Sequence, residues 1–452
     1  MSEPPNTPMP AGTPVPASTP IAGTPPRSTT PLAHCGTPTN GHSITNGHSH
    51  TNGYPTSNGN LGSNGHAKLP NGCVNKAIVL HIGDPIQYNP DSYATFSKAF
   101  DVVRPSLSER QRPEFIKALR EGRWGNFSAI FRPFWGTGGE MGKWDSELID
   151  LLPQSCRVFA SAGAGFDWAD TQRLGNRGII YCNSGLAAAE AVADFTVAMV
   201  LSTFRHLPWC MGAAIECLED DEEDSNFMLC HALATARSHN LRGHNLGIVG
   251  LGNIGRQLAA KLGGSAFGMA IHYTDARRKP EQVERELGVT YHQDISSLLA
   301  ACDCIVLCVP PRADGRPVLD RAALFRLGTG SRGGHPKPGL RIVNVARGSL
   351  VDEEALADAL ELGVVTAAAL DVHASEPRIN RRLLRMARVG NGGAGAGGSS
   401  SFPGRVMLTC HNAGGTVETH AGFEELSMRN IMAVLGGGVP ITPVNLRYLK
   451  KH

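Results

Sequence analysis

Three short segments late in the chain carry the side chains best suited to chemistry: Arg347 within 344–352, Glu376 within 369–377 and His411 within 408–415. Each follows an apolar run that reads as a strand, and open α/β sheets place their ligands where strands end. The planar guanidinium of Arg347 matches a carboxylate through two parallel hydrogen bonds. His411 is a proton donor suited to near-neutral pH. A carboxylate such as Glu376 orients an imidazole and favours its charged form. A 2-oxo acid accepting a hydride needs these three services: a cation for its carboxylate, a proton for its carbonyl oxygen, and a partner for the donor. His373, close by, reads as a structural or cofactor-adjacent histidine.

A hydride needs a carrier, and the segments upstream are built for one. The short apolar strand Asn245 to Gly250 runs into Gly250, Leu251, Gly252, Asn253, Ile254 and Gly255, then into a helical stretch, Arg256 to Leu262. Asp275 lies 20 residues beyond Gly255, after a second apolar run, Phe267 to Tyr273. This spacing predicts a dinucleotide site: a tight turn, close backbone approach to a pyrophosphate, and close helix–strand packing. The helix N-terminus offers N–H groups to the phosphates. Asp275 suits an adenosine ribose and repels a 2′-phosphate, which favours NAD. Arg277, Arg278 and Lys279 follow at once and can clasp that phosphate, so NADP stays possible.

Positioning such residues takes alternating strands and helices. Strands are expected at 77–82, 128–131, 157–160 and 179–182, with helices at 112–121 and 146–152 between them. A long apolar helix at 187–204 leads to the dinucleotide unit. Strands at 304–309, 341–345, 366–372 and 406–410 follow it, and a helix at 417–435 closes the chain. The alternation predicts an α/β protein with two parallel-sheet, Rossmann- or flavodoxin-like domains, covered by helices on both faces. The expected division is a tail at 1–74, a substrate domain at 75–186, a nucleotide domain at 187–415, and a C-terminal helix at 416–452 returning to the substrate domain.

Composition limits the rest. In 452 residues the net charge is only +2, which gives no reason to expect nucleic acid. No apolar run reaches the roughly 18–20 residues needed to span a bilayer. The N-terminus lacks an apolar secretory core and an Arg-rich presequence. The eleven cysteines lack paired metal-ligand spacing and read as small apolar filler in a reducing compartment, so no metal site is expected. These features point to a cytoplasmic protein. The Thr-Pro and Asn-Gly-His repeats before residue 74 cannot build a core and are expected to be disordered. The acidic run Glu219 to Asp224 and the glycine-rich stretches 328–339 and 388–404 read as surface loop expansions.

The segments around Arg347, Glu376 and His411, together with the glycine fingerprint, resemble those of the D-isomer-specific 2-hydroxyacid dehydrogenases, over roughly residues 77–445. The resemblance implies two α/β domains with NAD(P) between them, an Arg–Glu–His catalytic set, and a homodimer built through the nucleotide domain. It also implies that Ala164 and Gly165, in the loop 161–167, hold the substrate carboxylate through backbone N–H groups beside Arg347. Asp371 would orient the nicotinamide carboxamide, and Val309, Pro310 and Val345 would lie along the cofactor. Cys410 stands where that family usually has proline, and Asp194 where it usually has glutamate. The substrate would be a small or bulkier 2-oxo acid, glyoxylate or hydroxypyruvate among them. Aromatics in 131–138 are candidates for a side-chain pocket. The same fold also resembles the C-terminal-binding transcriptional corepressors, which makes a nuclear NAD-sensing protein the alternative expectation.

Overall fold

Short runs of Val, Ile, Leu and Ala, too brief for helices, become the strands of two parallel sheets. The computed structural model describes residues 76–134, 136–215, 226–312, 314–325, 339–388 and 404–449. The expected tail, the acidic run and all but the ends of the two glycine-rich stretches lie outside these residues. So does Trp135.

The first sheet holds β1 (Ile78–His81), β2 (Asp101–Val103), β3 (Ala129–Arg132), β4 (Val158–Ser161) and β5 (Ile180–Cys182), in the order β2-β1-β3-β4-β5. Its connecting helices are α1 (Pro90–Ala99), α2 (Arg112–Glu121), α3 (Ser146–Ile149) and α4 (Thr171–Asn176). Helix α5 (Ala189–Arg205) then leads into a helical pair, α6 (Leu207–Ile215) and α7 (Asn226–Thr235).

The second sheet holds β6 (Asn245–Val249), β7 (Ala270–Thr274), β8 (Val289–Tyr291), β9 (Cys304–Leu307), β10 (Leu340–Asn344), β11 (Val365–Leu370) and β12 (Val406–Leu408). Their order is β12-β11-β10-β9-β6-β7-β8, and every neighbouring pair is parallel. Helices α8 (Asn253–Gly263), α9 (Glu281–Leu287), α10 (Ile295–Ala301), α11 (Arg321–Phe325), α12 (Glu353–Glu361) and α13 (Arg381–Ala387) connect them, and α14 (Val417–Leu435) follows β12.

Alternation along the strands builds the cores, because successive side chains leave opposite faces. Leu246 and Ile248 of β6 meet Met199, Val200 and Phe204 of α5 on one face, with Leu258 and Leu262 of α8. Ile305 and Leu307 of β9 meet Leu298 of α10 and Leu356 of α12 on the other. In the first sheet, Val79, Phe131 and Ala160 pack on Met428 and Ile431 of α14, so the last helix lies against the first sheet. Leu80, Ile130 and Phe159 face Phe115 of α2 and Trp144.

Both sheet orders reverse direction at an internal point, and these crevices at the strand ends are where such sheets bind ligands. In the second sheet that point lies between β6 and β9, at the glycine loop. The observed strands stop earlier than the sequence suggests: β9 ends at Leu307 and β12 at Leu408. Edge strands β2 and β8 have only three residues each, too few to show an apolar period.

Candidate active site

Gly250 takes φ 97°, and its N–H bonds to the Thr274 carbonyl at 2.8 Å, turning the chain sharply at the end of β6. Only glycine enters that region without strain. A Cβ on Gly255 would lie 2.2 Å from the Gly250 carbonyl oxygen, so helix and turn touch through bare backbone. Gly255→Ala is therefore expected to cost about 1–3 kcal/mol of stability, read as a lower urea midpoint. An unchanged midpoint would contradict the close packing. At Gly252 a Cβ would meet nothing within 4 Å, and α8 begins there with no side-chain cap. Its first N–H groups, those of Asn253 and Ile254, have no hydrogen-bond partner among the described residues, the cradle a pyrophosphate fits.

Asp275 sits beside this loop. Its Oδ2 accepts the Leu251 N–H at 2.9 Å and pairs with the Lys279 ammonium at 3.0 Å. Arg278 turns elsewhere: it makes two bonds to Glu284, at 2.9 and 2.8 Å, and lies over the Tyr291 ring. The hydrogen bonds from Arg278 and then Tyr273 hold the Glu284 carboxyl down to about 2. Arg277 makes no ion pair among the described residues.

Arg347, Glu376 and His411 follow β10, β11 and β12, three adjacent strands, so one sheet edge carries all three. The Asn344 side chain shapes the first turn, donating to the Arg347 carbonyl at 2.8 Å and accepting the Ala346 N–H at 3.1 Å. Arg347 donates through Nη1 to the Ala346 carbonyl at 2.7 Å and through Nε to Asp167 Oδ1 at 3.1 Å. His411 Nδ1 meets Glu376 Oε2 at 2.9 Å, and Glu376 Oε1 accepts the His373 N–H at 2.9 Å. Burial alone would raise the Glu376 carboxyl, but the bonds to His411 and His373 outweigh it and hold the group below the usual carboxylate range.

His411 itself has φ 56°, a left-handed backbone that a non-glycine residue adopts only when its surroundings impose it. Asp371 imposes it. The Asp371 carbonyl accepts the His411 N–H at 2.7 Å. Its fully buried carboxylate accepts the Thr409 hydroxyl at 2.7 Å and the N–H groups of Asn412 and Ala413 at 2.9 Å each. The resemblance implies a nicotinamide contact for this carboxylate; it lines the cavity described below, and its observed bonds go to the loop that carries His411. His373, buried beside it, bonds through Nε2 to the Thr409 carbonyl at 2.8 Å, a structural link.

These groups share one cavity of about 750 Å³. Val309, Pro310, Val345, Asp371 and Ile254 line it from the second sheet, together with Arg347, Glu376 and His411. Gly163 to Trp168, the loop after β4, and Arg132 at the end of β3 line it from the first. The N–H groups of Ala164 and Gly165 have no hydrogen-bond partner among the described residues. Phe166, Trp168 and Phe423 give the wall an aromatic character. Of the segment 131–138, Arg132 reaches the cavity and stacks on Trp168, whereas Phe134 packs near His420. Sequence reasoning missed Trp168 and Phe423 as lining residues. It also missed the Asp167–Arg347 pair, since no spacing rule links residues 180 apart.

Among the described residues no helix is long and apolar enough to cross a membrane, and no cluster of metal-binding side chains occurs. Residues 210–391 match the family model described as "D-isomer specific 2-hydroxyacid dehydrogenase, NAD binding domain". The structure is similar to that of the apo D-mandelate dehydrogenase of Rhodotorula graminis, at TM-score 0.71 and 34% identity, over 82% of this chain and 97% of that one. A glyoxylate reductase of Thermococcus kodakarensis is 31% identical over 306 residues, 68% of this chain and 81% of that protein. The 4-methyl-2-oxopentanoate reductase A of Aspergillus oryzae is 28% identical over 333 residues, 74% of this chain and 88% of its own length.

Proposed function

Because the chain belongs to the D-isomer specific 2-hydroxyacid dehydrogenase family, it is an NAD(P)-dependent 2-oxo acid reductase, and we propose that it acts on an acid with a bulky side chain through Arg347, Glu376 and His411. The observation that carries this reading is their convergence on one cavity whose wall includes Phe166, Trp168 and Phe423. Arg347 Nη2, with the N–H groups of Ala164 and Gly165, receives the substrate carboxylate. His411 presents Nε2 to the carbonyl oxygen and protonates it as charge develops there. Glu376 holds the ring by Nδ1, which fixes the direction of the donated proton. The nicotinamide, when bound, supplies the hydride. D-mandelate dehydrogenase and 4-methyl-2-oxopentanoate reductase are named for acids with phenyl and isobutyl groups, which supports the bulky-substrate reading.

Asp275 beside the glycine loop, and the commitment of Arg278 to Glu284, favour NAD over NADP. The substrate lobe comprises 75–186 with 416–452, and the nucleotide lobe 187–415. A homodimer through the nucleotide lobe fits the helical pair: Met211 and Ile215 of α6 are 62% and 79% exposed, and Phe227 and Met228 of α7 are 49% and 54% exposed. A second copy would cover them.

The test is NADH and NADPH oxidation with glyoxylate, pyruvate, 2-oxoisocaproate, phenylpyruvate and benzoylformate. The branched or aromatic acids are expected to exceed glyoxylate in kcat/KM by about tenfold or more. NADH is expected to be preferred, and Asp275→Ala to narrow that preference about tenfold. Faster turnover of glyoxylate would sink the bulky-substrate reading, and no turnover of any acid would sink the catalytic assignment.

A further inference from the structure

We infer that Asp167 is a positioning residue that orients Arg347, so that a single edge of the guanidinium meets the substrate carboxylate. This rests on the reading of Arg347 as the carboxylate site. Three constraints act on that guanidinium. Asp167 Oδ1 accepts from Nε at 3.1 Å, and the Ala346 carbonyl accepts from Nη1 at 2.7 Å. The third is Gly165, whose Cα side lies so close that a Cβ there would sit 1.2 Å from Nη2.

Nη2 alone has no partner among the described residues. An unrestrained arginine offers a carboxylate two forks, Nε with Nη2 or Nη1 with Nη2. Here Asp167 engages one and Ala346 the other, which leaves Nη2 as the donor. It lies against Gly165, in the loop whose Ala164 and Gly165 N–H groups have no partner among the described residues. The substrate carboxylate is then gripped by one guanidinium nitrogen and two backbone groups, in an orientation the protein sets before binding.

Asp167 belongs to the loop after β4 and Arg347 to the loop after β10, so their bond spans the cavity between the two sheets. The side chains are 50% and 27% exposed, and pairs this open add little to stability. A merely structural Asp167 would therefore be nearly silent on replacement.

The experiment compares Asp167→Ala and Asp167→Asn in the full-length protein, with the best 2-oxo acid and with its 2-oxo amide, which lacks the carboxylate. Asparagine keeps an acceptor for Nε and loses only the charge. Asp167→Ala is expected to lower kcat/KM for the acid about tenfold or more, mostly through KM. Asp167→Asn is expected to stay within about threefold of the parent, and the amide to show no more than a threefold effect of either change. NADH affinity, read by fluorescence quenching, should not move. Asp167→Ala within threefold of the parent overturns the inference, as does an Asn variant as impaired as the Ala variant. An equal loss on the amide also overturns it. Arg347→Gln runs alongside: a harmless Arg347→Gln defeats the carboxylate-site reading and the inference with it, whereas a harmful one beside a silent Asp167→Ala defeats the inference alone.

Discussion

His411→Ala is expected to lower kcat for 2-oxo acid reduction by about 10²–10⁴-fold, the usual share of a positioned proton donor. Dinucleotide affinity should be unchanged, since the glycine loop and Asp275 lie on other strands. The companion change is Glu376→Gln. In the parent the Glu376 carboxyl is held below the usual carboxylate range, so it is ionised across the whole neutral region. A neutral amide grips the Nδ1 side of the ring less firmly than an ionised carboxylate does, so Glu376→Gln should lower kcat about tenfold or more, read in the same assay. A depressed carboxyl stabilises the fold above its unfolded pKa, and that contribution fades as pH falls through the folded value. Glu376→Gln should accordingly flatten the stability profile on its acidic side. A His411→Ala enzyme that turns over within tenfold of the parent would remove His411 from the mechanism.

Gly165→Ala adds one methyl group and should cost about 10²-fold in kcat/KM, the penalty of misplacing a reacting partner by about 1 Å. The new carbon would fall 1.2 Å from Nη2 and 2.5 Å from Cζ of Arg347, so the guanidinium must leave. Long side chains move readily, so the fold should survive the change with a melting temperature close to the parent's. That separates it from Gly255→Ala, whose clash is with backbone that cannot swing aside. Gly165→Ala with normal kcat/KM would mean that Arg347 works from a different position.

What could be read in advance follows from the range of the forces involved. The glycine loop, the strand–helix alternation and the three strand-end segments are local patterns, and each was legible. Strand order was not, because β9 pairs with β6 rather than with its neighbour in sequence. The family resemblance implies a cofactor contact for Asp371, and the residue does line the cavity. Its actual bonds run to Thr409, Asn412 and Ala413, some forty residues away, and only the folded sheet brings those donors to it. Asp167 was visible in its loop without a role, for the same reason. Phe423 falls within the expected closing helix 417–435, and a place in a helix could not mark it as a cavity wall.

Arg347, Glu376 and His411 all leave one edge of one sheet, from adjacent strands, while most of the aromatic wall hangs from a loop of the other sheet. The proposed reactive set and most of the proposed side-chain pocket thus sit on different sheets. Exchanging Phe166 and Trp168 for the residues of relatives, with Ala164, Gly165 and Asp167 kept, should retune substrate range while the proposed proton donor and its acid stay untouched. A division of labour of this kind lets a lineage explore new acids by drift in one loop, without first surviving an inactive ancestor.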